Sequence, residues 1–217
     1  GWSAVLLGAL AGVALSLALA LLIGLLSLRV KAIFFAMITL AVASAFAILA
    51  SQLSWLTGGE DGLTFTVPRF LQRGFRPFAG NLFGLEVTGR TITYYLLFLA
   101  SAGLFLLLLR VVNSPFGRVL LSIRENAFRA EALGYRTVTY RVVANCIAAA
   151  AASLAGALLA LWAAYSGPDT TLSFNVMIDV LLMVVIGGMG TLYGAVLGAT
   201  VLIVAQNYLQ DLMRVLS

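Results

Sequence analysis

The sequence predicts an all-α fold: a polytopic transmembrane helical bundle of about six membrane segments, with a further short helix on the cytoplasmic side. Three observations predict it. Of 217 residues, 62% are hydrophobic and 10% charged, where soluble domains carry about 25% charge. Uncharged apolar runs long enough to cross a bilayer recur along the chain. One charged and patterned segment, residues 113–141, stands between two of those runs. Nothing is left over for a water-soluble second domain, so residues 1–217 are expected to form a single transmembrane domain.

Taken in order, residues 4–28 are uncharged and long enough to span roughly 30 Å of hydrocarbon at about 1.5 Å per residue. Arg29-Val30-Lys31 interrupts them. Residues 32–56 form a second span, with Thr39, Ser44 and Ser51 along it. Thr57-Gly58-Gly59-Glu60-Asp61-Gly62 closes that span with turn chemistry, since glycine reaches the positive φ that tight loops need. The extracytoplasmic connection, about 57–90, holds Pro68, Pro77 and Asn81 with two short apolar pieces, and is expected to be an ordered cap or a short surface helix. Residues 91–109 make a third span, closed by Arg110, and residues 142–164 a fourth. After a turn at Gly167-Pro168-Asp169, residues 176–209 are apolar again, broken at Gly187-Gly188-Met189-Gly190. Two readings fit that break: two short spans with a tight glycine turn, or a broken or re-entrant helix followed by a full one. Either way, irregular backbone at membrane depth must face protein or a water-filled cavity rather than lipid.

Lys and Arg concentrate on the cytoplasmic side of membrane proteins. With the charged segment inside, Arg29, Lys31, Arg110, Arg118, Arg124, Arg129, Arg136 and Arg141 fall there. Arg69, Arg73, Arg76 and Arg90 stay outside, partly offset by Glu60, Asp61 and Glu86. The same loop bias accounts for the net charge of +5 without nucleic-acid binding. The chain has no histidine and one cysteine, Cys146, in an apolar run, which argues against disulfides, histidine-held metal, haem and histidine acid–base catalysis. No phosphate-binding loop with Lys-Ser/Thr is present, so ATP hydrolysis is not expected on this chain. It is not expected to be an enzyme, and no catalytic residue, metal site or cofactor is assigned. The chain opens directly into an apolar run and ends just after another, which suggests a fragment.

Within the charged segment, Ser114 can cap a helix and Pro115 suits its first position. Val119, Ile123, Ala127 and Ala130 recur at helical spacing on one face. Glu125 and Arg129 are four apart in the favourable order, and Gly134 suits a C-terminal cap. The expected product is one short amphipathic helix between two spans. It can lie on lipid headgroups or dock on a soluble partner.

The order of residues favours docking, by resemblance. Arg129-Ala130-Glu131-Ala132-Leu133-Gly134 resembles the cytoplasmic loop signature of ABC-importer permeases, with Leu133 and the short spacing departing from its most general form. Four blocks in order extend the likeness to nearly the whole chain. They are Ile33-Phe-Phe-Ala-Met-Ile-Thr-Leu-Ala, Thr57-Gly-Gly-Glu-Asp-Gly-Leu, Ser114-Pro-Phe-Gly-Arg-Val-Leu-Leu-Ser-Ile-Arg-Glu-Asn with Ala130-Glu-Ala-Leu-Gly-Tyr, and Met183-Val-Val-Ile-Gly-Gly-Met-Gly-Thr-Leu-Tyr-Gly-Ala. Together they resemble the permease of branched-chain amino-acid ABC importers, of the type with the long Thr-Gly-Gly-x-Asp-Gly loop. That family has helices before and after the part present here.

The resemblance implies a multi-pass subunit of the bacterial inner (cytoplasmic) membrane, moving branched-chain or related hydrophobic amino acids inward by alternating access. It also implies two ATP-binding subunits, a second homologous permease subunit, an extracytoplasmic solute-binding protein and surrounding membrane lipid, with no nucleic acid. Arg118, Ile123, Arg124, Glu125, Ala130, Glu131 and Gly134 would couple to an ATP-binding subunit, with Val119, Ile123 and Ala130 packing into its cleft. Thr39, Ser44, Asp179, Gly187 and Gly188 are candidates for the translocation pathway. For Asp179, an interfacial or structural place stands beside that reading, because it lies within a turn or so of Asn175 near a loop. Glu60 and Asp61 are candidates for contact with the binding protein. Urea or amide importers share the architecture. A secondary transporter would need coupling carboxylates at midplane, where Asp179 alone is available; a membrane scaffold without transport is the remaining alternative. Two small-residue ridges, Gly190/Gly194/Gly198 and Ala148/Ala152/Gly156/Ala160/Ala164, are expected to allow close helix packing.

Overall fold

The computed structural model describes residues 2–27, 32–64 and 89–216. Within them the chain is helical almost throughout: α1 (Trp2–Ser27), α2 (Ala32–Gln52), α3 (Ser54–Thr57), α4 (Gly89–Val112), α5 (Pro115–Glu125), α6 (Ala127–Ala132), α7 (Thr137–Ala163), α8 (Pro168–Thr171), α9 (Phe174–Gly187) and α10 (Leu192–Leu216). Two two-residue strands, β1 (Leu63–Thr64) and β2 (Tyr165–Ser166), pair antiparallel. Five stretches among the described residues are long and apolar enough to cross a membrane: Val5–Leu25, Gly89–Val112, Thr137–Ala163, Pro168–Gly187 and Leu192–Asp211; Met37–Gln52 is a shorter apolar helix. The segment 65–88, with its expected cap, lies outside the described residues, as do Arg29 and Lys31.

One unit comprises residues 1–42 and 63–166. Its frame is the antiparallel pair α1–α7, which meets where side chains are small. A Cβ added to Gly12 would stand 3.4 Å from the Ser153 hydroxyl oxygen, and one added to Gly24 would stand 3.4 Å from the Val142 methyl groups. Between these points Ala20 is buried, and its carbonyl accepts a 2.9 Å hydrogen bond from Asn145 Nδ2. A polar side chain in a span is thus satisfied by the neighbouring helix. At Gly156 an added Cβ would meet nothing within 4 Å, so α7 does not use that ridge position for close approach among the described residues. α7 begins at Thr137, several residues earlier than the expected span, and therefore includes Arg141.

The second unit comprises residues 43–62 and 167–217. Its centre is the hairpin of α9 and α10. The glycine break is a tight turn, with Gly188 and Gly190 at φ +96° and +130°, between the 14-residue α9 and the 25-residue α10; a short helix followed by a full one fits both the paired-span and the re-entrant reading. The helices then run antiparallel at backbone contact. A Cβ on Gly187 would stand 1.8 Å from the Gly194 carbonyl oxygen, and one on Gly198 would stand 1.8 Å from that of Met183. α9 has 14 residues, about 21 Å, shorter than a full span unless the turn of α8 before it is counted. Also in this unit, Thr57 ends α3 by donating to two carbonyls, Ala50 and Leu53. Gly58 and Gly59 follow at φ +76° and +65°.

Among the described residues, only Ala20, Ile123, Ala130 and Leu202 are buried hydrophobic side chains. The spans present most of their apolar surface outward, as helices in contact with lipid or other protein do.

Gly198→Val and Gly103→Ala test the hairpin. Gly103 has open space at its Cβ position and should change stability little. Gly198→Val should cost about 1–3 kcal/mol from overpacking, read as lower thermal stability of the detergent-purified protein.

Candidate coupling site

The charged segment departs from the expected single helix. α4 ends at Val112, and Ser114 turns the chain: its hydroxyl donates to the Val111 carbonyl at 2.6 Å and accepts from the Gly117 amide at 3.4 Å. Pro115 takes the first helical position, where a missing N–H is harmless. Gly117 is needed because α5 starts against the end of α4; a Cβ there would lie 1.9 Å from the Val112 oxygen.

α5 stops at Glu125. Asn126 then leaves helical geometry at φ −157°, ψ 99°, and its side chain accepts from the Arg129 amide at 3.0 Å, capping α6. Asparagine is among the best N-capping residues, and one rod becomes two short ones. The i,i+4 geometry expected for Glu125 and Arg129 is interrupted at this break.

α6 ends in a Schellman closure. The Tyr135 amide donates to the Ala130 carbonyl at 3.1 Å and the Gly134 amide to that of Glu131 at 2.9 Å, with Gly134 at φ +90°. An added Cβ at Gly134 would touch nothing within 4 Å, so glycine is required by backbone conformation rather than by space.

Three ties hold this segment to α7. Phe116 stacks on Tyr140 at 5.5 Å between centroids, and Tyr135 meets Tyr140 edge-on at 6.0 Å. Glu131 accepts a 2.5 Å hydrogen bond from the hydroxyl of Thr137, itself buried at the start of α7. Ile123 and Ala130 are 4% and 2% exposed, half of the buried hydrophobic residues among those described. Buried in their own unit, both brace the segment from inside and are not available to an outside cleft.

The outward face carries Arg118, Arg124, Glu125, Arg129, Glu131 and Arg136, all exposed. It also carries two apolar side chains that charge patterning overlooked, Phe128 at 81% and Leu133 at 71% exposure. An aromatic residue beside charged neighbours and off the apolar spacing of Val119, Ile123, Ala127 and Ala130 was the available signal. Four arginines against two glutamates make the face net positive. It can offer an acidic partner several guanidinium groups around an apolar knob.

The other predicted residues lie on other elements. Thr39 lies half-buried and Ser44 exposed on α2. Asp179 is half-buried on α9, eight residues or about 12 Å before Gly187, so the structure does not bring it to the glycine turn. Glu60 and Asp61 form an exposed 3₁₀ turn after Gly58.

Gly134→Ala should cost about 1–2 kcal/mol, the penalty of a left-handed conformation for a residue with a Cβ. Hydrogen–deuterium exchange should show faster exchange at the Gly134 and Tyr135 amides, while the spans keep their protection.

The family described as the permease component of the branched-chain amino acid transport system matches residues 1–215. The chain is 29% identical over 208 residues to the high-affinity branched-chain amino acid transport system permease protein LivM of Salmonella typhimurium, covering 90% of this chain and 49% of that protein. It is 29% identical over 196 residues to LivM of Escherichia coli, covering 85% of this chain and 46% of that one. A probable branched-chain amino acid transport permease protein LivM of Methanocaldococcus jannaschii is 31% identical over 113 residues, covering 52% of this chain and 32% of the relative. No solved structure matches the chain. The chain spans about half the length of the two bacterial relatives. With helices of bilayer length surrounding a braced, charged segment, this multi-pass membrane chain belongs to the family of branched-chain amino acid transport permease components.

Proposed function

We propose that the chain is the membrane-spanning part of an ATP-driven importer subunit, moving branched-chain or related hydrophobic amino acids into a bacterial cytoplasm by alternating access. Residues 1–217 act as one permease domain. ATP is hydrolysed on two partner ATP-binding subunits, a second homologous permease subunit completes the pathway, and an extracytoplasmic binding protein delivers substrate near Glu60 and Asp61. Family membership and likeness to LivM proteins support the transport class.

The observation that carries the coupling reading is the braced pair α5–α6. A segment that transmits motion must hold its shape under load, and this one is capped at both helix starts, closed at Gly134 and tied to α7. Phe128 and Leu133 enter a cleft of the ATP-binding subunit, and Arg118, Arg124, Arg129 and Arg136 face its carboxylates. Interface energy concentrates in buried aromatic and arginine anchors, which favours Phe128 as the centre. Glu131 acts by fixing α6 on Thr137. Closure of the motor subunits then moves α4 and α7 through rigid joints at Gly117 and Thr137. Thr39, Ser44, Asp179, Gly187 and Gly188 remain the proposed lining of the pathway.

In the complete transporter reconstituted into liposomes, Phe128→Ala should weaken association of the ATP-binding subunit by about tenfold or more, a loss of roughly 1.4 kcal/mol or greater. Glu131→Lys should abolish ATP-driven uptake while membrane insertion persists. Normal co-purification and uptake in both variants would exclude the docking role.

A further inference from the structure

α4 and α7 diverge along one side and leave an apolar groove of about 530 Å³. From α4 it is lined by Tyr94, Phe98 and Leu108, and from α7 by Ala155, Leu159 and Trp162. Tyr94 to Leu108 is a rise of about 21 Å at 1.5 Å per residue, comparable with the ~15 Å hydrocarbon depth of one leaflet. The Ser101 hydroxyl in the middle of its α4 wall donates to the Phe98 carbonyl at 3.0 Å and so asks nothing of an occupant.

One end of the groove is chemically different from the rest. The Arg90 guanidinium stands 5.8 Å from the centre of the Trp162 ring. Tyr94 meets the same indole edge-on at 6.4 Å, and Tyr95 meets Tyr94 edge-on at 5.6 Å. Tyrosine and tryptophan gather where hydrocarbon meets headgroups. α4 leaves this end towards α5 and α7 returns from α6, so the cluster lies at the membrane face opposite the coupling segment. An exposed cation beside aromatic rings, at the mouth of an apolar channel of acyl-chain length, matches an amphiphile with an anionic head and a hydrocarbon tail. A transmembrane helix filling the channel would have to carry an acidic residue at its end to meet the cation, whereas an anionic lipid supplies head and tail together.

We propose that this groove is a binding site for one phospholipid of the bilayer, its phosphate at Arg90 and one acyl chain lying between α4 and α7. Trp162 has two roles there. Its ring presents an electron-rich face that holds the guanidinium in place, and its body forms the upper wall of the channel.

The test uses the complete transporter, purified in mild detergent and stripped of lipid, with native mass spectrometry to count what rebinds. Phosphatidylglycerol and diacylglycerol carrying identical chains serve as probes. One phosphatidylglycerol should be retained at least tenfold better than diacylglycerol. Arg90→Gln should remove that preference and leave weak, equal binding of both. Ala155→Phe, which fills the channel, should abolish binding of both while the transporter stays assembled. Equal retention of the two probes by the unmodified transporter would overturn the site, as would phosphatidylglycerol binding unchanged in both variants. A photo-cross-linker at position 155 that captures another polypeptide segment instead of lipid would likewise give the groove to a helix and overturn the proposal.

Discussion

Hydrocarbon offers a peptide group no hydrogen-bond partner, and the arrangement of this chain follows from that constraint. Every long apolar run is a helix because only a helix satisfies its own amides and carbonyls. Polar side chains within the spans obey the same rule. Thr93 donates to the Gly89 carbonyl, Ser101 to that of Phe98 and Asn145 to that of Ala20. With no hydrophobic drive between helices in lipid, close packing must come from shape. Glycine therefore stands where backbones touch, at Gly187, Gly194 and Gly198 in the α9–α10 hairpin, and where a side chain of the neighbouring helix comes close, at Gly12 and Gly24 between α1 and α7.

The opposite constraint acts on α5 and α6. In water, a short charged helix has little stability of its own, so this pair is held by ordinary globular means. It has a serine cap, an asparagine cap, a glycine closure, an aromatic chain through Phe116, Tyr140 and Tyr135, and two of the few buried apolar side chains among the described residues. Ile123 and Ala130, two of the four buried hydrophobic side chains among the described residues, lie in this pair rather than in a span. Glu131 illustrates the distinction between contact and support. Its carboxylate is exposed yet already accepts from Thr137, so its effect on a partner would pass through the geometry of α6.

Much of this was legible in the residues. Ser114-Pro115 announced a helix start and Gly134 a helix end, because capping chemistry is local. The spans were legible because length and absence of charge suffice. The break at Asn126 was not, since its two flanking helices share an apolar spacing and the cap depends on one side chain folding back on Arg129. Burial was the other failure. Periodicity placed Ile123 and Ala130 on one face but could not say whether that face is covered by the chain itself, as it is, or by a partner. The break at 187–190 was legible from its glycines, but the antiparallel backbone contacts of Gly187 with Gly194 and of Gly198 with Met183 come from the fold. Asp179 stood out by charge alone, and its place two turns from the hairpin turn comes from the fold.

The coupling account is tested most directly by asking what the α6 face beside Phe128 touches in the assembled transporter. With Cys146→Ala removing this segment's thiol and Ala132→Cys supplying a new one on exposed α6 while Phe128 stays in place, a short thiol-to-amine cross-linker can be applied to membrane vesicles of known orientation. The account predicts that position 132 reacts only from the cytoplasmic side and joins an ATP-binding subunit in high yield, with the yield changing between nucleotide-free and ATP-bound states. Reaction from the exterior, or free labelling in the intact complex with no joined subunit in either state, would contradict it.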